Sequence, residues 1–157
     1  MKIVVLSMFF VFLSLTVFGQ DRVYDAKELT KQSYSMQDLD SIYKNGLPIN
    51  DTIHPLFTQE YFDSIVAIER IDLLKNMASY FNSHGLKWEP SVDIWTRIYC
   101  DTNGEIEYLF YHFLRPINSI KEKEFKRLAN NFLQENKLSV QASQKFSICG
   151  QIKWIDN

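Results

Sequence analysis

What this chain has little of narrows its chemistry. It has three histidines and two cysteines, none in a Cys-x-x-Cys or His-Glu-x-x-His spacing, so it carries no recognisable zinc signature. No Gly-x-Ser-x-Gly elbow and no glycine-rich phosphate loop occurs, which leaves no signature of a serine hydrolase or a nucleotide binder. Asp101, Asn103 and Gly104 are calcium-loop residue types in the wrong frame. Tyr99 stands where the first ligand belongs and Phe110 where the closing acid belongs. Glycine (5) and proline (4) are scarce while aromatics reach 15%, which is the composition of a folded chain rather than a disordered one. The formal net charge of −2 gives no basic footprint for nucleic acid. No catalytic residue, metal or cofactor is assigned, and a non-enzymatic role is expected.

What is present begins at the front. Met1 and Lys2 form a short basic start, and Ile3 to Phe18 is apolar except for Ser7, Ser14 and Thr16. Val17 and Gly19 stand at minus three and minus one of a cut before Gln20. This is the pattern of a secretory signal peptide over residues 1–19, and the apolar stretch is short for a spanning helix. A periplasmic or secreted protein is expected, with no membrane segment after the leader is cut. Loss of Lys2 lowers Lys+Arg from 17 to 16 against 19 acids, a mature charge of about −3.

Residues 20–57 read as an irregular N-terminal arm with one short helix candidate, Met36 to Lys44. Residues 58–157 read as a single α+β domain. Thr58 can cap a long helix to about Ser83, in which Ala67, Ile71, Leu74, Ala78 and Phe81 fall at helical spacing, with Leu73, Met77 and Tyr80 flanking. Gly85 suits a left-handed stop. Residues 92–114 read as a hairpin, because runs rich in β-branched and aromatic residues flank Asp101-Thr102-Asn103-Gly104. Ser119 with Glu122 makes a capping box for a second helix. In a last strand over 145–154, Phe146, Ile148, Ile152 and Trp154 alternate onto one face. The expected fold is α+β, with a small antiparallel sheet of about three strands packed on two helices.

A two-residue turn at Asn103-Gly104 sets Ile94 opposite Phe113, Thr96 opposite Tyr111 and Ile98 opposite Leu109. These share a face with Cys100 and Glu107. The other face carries Trp95, Tyr99, Ile106, Tyr108 and Phe110, with Arg97 and His112. Both faces are apolar enough to bury, so one helix is expected on each. Left uncovered, Trp95, Tyr99, Tyr108 and Phe110 form the candidate interaction surface. Cys100 and Cys149 are a candidate disulfide, since an exported chain with an even cysteine count invites one. Strand parity decides it. If Phe146, Ile148 and Trp154 face the same side as Trp95 and Tyr108, the two cysteines share a face. If they join Ile94 and Ile98, the cysteines point apart and no bond forms.

The order strand, turn, strand, helix, strand over 92–154 carries a resemblance. The stretch Trp95-Thr96-Arg97-Ile98-Tyr99-Cys100-Asp101-Thr102-Asn103-Gly104-Glu105-Ile106 resembles the C-terminal domain of TonB-family energy transducers, which has an Asp-x-x-Gly type turn in that place. Val23-Tyr24-Asp25-Ala26-Lys27-Glu28-Leu29 is similar to the stretch that precedes that domain in some envelope relatives. A proline-rich spanning linker is absent, so the resemblance implies a periplasmic adaptor that binds another protein by adding a strand edge. The expected function is an exported, non-catalytic protein-interaction module of the bacterial envelope, with another envelope or secreted protein as partner. The alternative is a small secreted ligand-binding or inhibitor-like domain, with a pocket between the long helix and the sheet.

Overall fold

The computed structural model describes residues 21–27, 36–48, 56–89 and 91–156. The leader lies outside the described residues. Among those described, no helix is long and apolar enough to cross a membrane.

The strands are β1 (Val23–Asp25), β2 (Lys44–Asn45), β3 (Ser91–Cys100), β4 (Ile106–Phe113) and β5 (Phe146–Ile155). The helices are α1 (Met36–Ile42), α2 over 59–83 and α3 (Ser119–Glu135), and α2 contains one widened π turn at Phe62–Val66. The sheet order is β1-β4-β3-β5-β2. The inner pairs are antiparallel, whereas β1 on β4 and β2 on β5 are parallel. The class is therefore α+β, but the sheet is five-stranded and mixed, with three helices among the described residues. The expected three antiparallel strands on two helices do not describe it, nor does an irregular arm. The segment before Thr58 supplies both outer strands and a helix. Its strands are two or three residues long, too short to show alternation. Each is held by pairing with a long strand that the sequence places far away.

The hairpin meets its expected register by a different route. Gly104, at φ 81°, ends a three-residue loop rather than a two-residue turn. Gly104 N donates to Asp101 O at 3.3 Å and Asp101 N to Glu105 O at 3.0 Å. The Asp101 carboxylate accepts from the Asn103 and Glu105 amides, as short acids do in turns. The extra loop residue shifts Cys100 opposite Ile106. A β-bulge at Glu107 then restores the register, so Tyr99 pairs with Tyr108 and Ile98 with Leu109. The bulge also exchanges two side chains between faces. Ile106 enters the main core with Cys100, while Glu107 turns to the side of Tyr43, whose hydroxyl donates to it.

Both long helices cover one face of the sheet, not one face each. Leu73, Met77 and Phe81 of α2 and Phe125, Leu128 and Phe132 of α3 join Ile94, Ile98 and Leu109 in a single core. Phe81 and Phe125 meet edge to face at 5.5 Å. Burying such a side chain contributes roughly 1.5–3 kcal/mol, which makes this layer the main source of stability. The other face has its own small core of Leu39, Tyr43, Tyr99 and Phe110 under α1. Thr58 caps α2, accepting from Tyr61 N. The cap of α3 is Asn118, one residue before Ser119, and it accepts from Ile120 N at 2.7 Å. The expected Ser119–Glu122 box does not form, because Glu122 accepts from the Tyr111 hydroxyl instead.

Candidate functional site

Among the described residues, the outer edge of β5 is the least paired edge of the long strands. β2 pairs only with Phe146 and Ser147. Lys44 N donates to Lys145 O and Gly46 N to Ser147 O. Amide and carbonyl of one residue point the same way and alternate along a strand, so the groups of Cys149, Gln151, Lys153 and Ile155 also point outward. No strand among the described residues pairs with them. A free edge of this kind is a template for another strand.

Beside this edge runs an open groove of about 600 Å³ between α2 and β5. Its helix wall includes Arg70, Ile71 and Lys75, and its sheet wall includes Ile152, Lys153 and Trp154. Two large apolar side chains stay exposed at its rim, Ile71 at 41% and Ile155 at 60%. The expected core stripe of α2 is turned by one position. Val66, Arg70, Leu73, Leu74, Met77 and Phe81 are buried, and Ile71 faces out.

Arg70 was not visible as a site residue from the sequence, although a cation in line with Val66, Leu73 and Met77 is the signal that marks it. Its side chain is 9% exposed. Nη2 donates to the Thr96 hydroxyl at 2.9 Å, and Thr96 donates to Gly150 O at 3.3 Å. Nε is buried without a partner. No carboxylate among the described residues makes an ion pair with Arg70. Burial lowers its pKa from the ordinary arginine value.

The residues singled out from sequence are divided by the fold. Tyr99 (0% exposed) and Phe110 (2%) are interior, while Trp95 and Tyr108 are half-buried. The four do not make one open surface, because α1 lies over their middle. An ion pair and a hydrogen bond, both to Asp40 of α1, fasten that cover. Arg97 meets Asp40 at 2.6 Å, and the Tyr99 hydroxyl donates to the same acid at 2.9 Å. Lys145 donates to both Glu107 oxygens at 2.8 Å. Burial raises the Tyr43 and Tyr99 pKa values above the usual tyrosine range.

Cys100 and Cys149 are both free thiols. Cys100 pairs with Phe146 and Cys149 with Arg97, so the strands are neighbours and the side chains project to opposite faces. No bridge joins them. Burial pushes the Cys100 thiol up, with Asp101 and Glu107 adding to it, which keeps it protonated and inert. His112 lies opposite Trp95, across the sheet from Cys100. Among the described residues no group of three His, Cys, Asp or Glu side chains is placed to hold a metal ion. No family model matches this chain, and no curated protein or solved structure matches it significantly.

Proposed function

We propose that this chain is an exported, non-catalytic protein-interaction module of the bacterial envelope, as its resemblance to TonB-family C-terminal domains implies. It takes an extended segment of another envelope or secreted protein as an added strand on β5. The observation that carries this function is the row of outward backbone groups from Cys149 to Ile155, beyond the reach of the short β2 and without a strand partner among the described residues. Main-chain hydrogen bonds supply affinity in such additions and adjoining pockets supply selectivity. The groove of about 600 Å³ supports a second function, a secreted domain that binds a small ligand between the long helix and the sheet.

Affinity capture on the tagged, leader-bearing chain from envelope extract tests the first. Lys153→Pro removes one outward N–H and leaves the ladder to β3 intact. Capture of a protein by the parent chain, lost in Lys153→Pro with unchanged circular dichroism, is the expected result. A captured protein retained by Lys153→Pro would place contact elsewhere and end the strand-addition idea.

A further inference from the structure

The geometry points to an acidic partner: the segment added along β5 presents a carboxylate to Arg70. This rests on strand addition and goes further by naming the chemistry of the segment.

Three observations converge. Arg70 is buried, its Nε has no partner, and no acid among the described residues pairs with it. A buried cation with unfilled donors is costly until an anion reaches it. The groove wall then adds Lys75 and contains no Asp or Glu. The one acid paired with Lys75, Asp72, stands 3.7 Å from it and outside the wall. A cationic groove on a chain of net charge −2 selects for negative charge.

Gly150 supplies the geometry. Lacking a side chain, it lets the guanidinium lie against β5, where a Cβ would fall 3.0 Å from Nη2. A strand added to β5 runs about 4.8 Å to the side. Its helix-side residue level with Gly150 therefore stands next to Arg70. An Asp or Glu there fills the donors that Thr96 leaves open, with charge-assisted hydrogen bonds that bind harder than neutral ones. Neighbouring helix-side positions of the added strand fall toward Ile71 and Trp154, which suits apolar residues.

Two acetylated peptides of about eight residues, alternating valine and threonine, test this. They are identical except for glutamate or glutamine at one central position, and fluorescence polarisation on the mature chain reads binding. The glutamate peptide is expected to bind about ten-fold tighter than the glutamine peptide. Arg70→Met should erase that advantage and Lys75→Gln should leave most of it. Lys153→Pro should weaken both peptides. Equal binding of the two peptides, both lost in Lys153→Pro, overturns the acidic partner and leaves strand addition standing. No binding of either peptide near millimolar concentration overturns both. A chain that sediments as a dimer, and as a monomer after Lys153→Pro, shows a second copy on the edge and also overturns the acidic partner. If Arg70→Met fails to fold, the glutamate–glutamine comparison on the parent chain decides.

Discussion

Arg70 rests on the bare backbone of Gly150, where a Cβ would fall 3.0 Å from Nη2 and 3.1 Å from Cζ. The contact joins the middle of α2 to the outer long strand. Arg70→Met keeps the volume and removes a buried charge that has no ionic partner among the described residues. Replacing buried charges by apolar side chains is often neutral or stabilising, so the urea midpoint should stay level or rise. Gly150→Val should instead cost about 1–3 kcal/mol by overpacking. Loss of several kcal/mol in Arg70→Met would make the guanidinium a structural tie.

The two halves of the aromatic face should separate on truncation. Tyr99→Ala opens the small core beneath α1, where Tyr99 meets Tyr43 at 5.0 Å and Phe110 at 5.5 Å, and should cost about 3–5 kcal/mol. Half-buried Trp95 should cost about 1 kcal/mol on truncation to Ala. Equal losses in denaturant unfolding would refute this division.

Gly104 is demanded twice. Its φ of 81° suits glycine, and a Cβ would fall 2.1 Å from Leu138 O. The turn is docked there, with Leu138 N donating to Gly104 O and Ala142 N to Thr102 O. Gly104→Ala should destabilise by at least the 1–3 kcal/mol of a strained left-handed residue. Gly85→Ala shares the positive φ without a contact within 4 Å and should cost less. Paired thermal melts of the two variants make the comparison.

Alkaline pH should weaken the fold. Tyr43, Tyr99 and Cys100 have folded pKa values raised above 10.0 for tyrosine and 9.0 for cysteine. Below those values both states hold the protons and stability is complete. Above them the unfolded chain releases protons that the fold retains, so stability declines as pH rises through 9 to 10 and beyond. Each group adds up to about 1.4 kcal/mol per pH unit. Urea midpoints across this range should fall, and Tyr99→Phe should make the decline shallower. A flat profile would contradict the burial of these groups.

Thiol titration should find two kinetic classes. Half-buried Cys149 reacts in the native chain, whereas Cys100, fully buried and protonated, reacts only on unfolding. Two thiols are expected in unreduced, denatured protein. None at all would mean a bridge and a different strand register.

Much of the fold was legible locally. Val92 to Cys100 alternates strongly enough to specify a strand, Thr58 and Gly85 bracket the long helix, and Asn103-Gly104 marks the reversal. The central register came out as the two-residue turn requires, because a longer loop and a bulge at Glu107 cancel. Such cancellation has no local signature. Two of the four residues of the surface proposed from pattern alone, Tyr99 and Phe110, are interior, since nothing in Met36 to Ile42 announces what that helix will cover.

The sequence by itself determined the two long helices and three long strands, because helical and strand periodicities, caps and turns act over a few residues. Only the tertiary structure decided which face each helix covers, that the N-terminal segment adds a short strand to each side of the sheet, and that most of the β5 edge, beside a buried arginine, has no strand partner among the described residues. Those outcomes depend on contacts between residues dozens of positions apart, where packing and pairing geometry, not local preference, chooses among arrangements the sequence pattern permits equally.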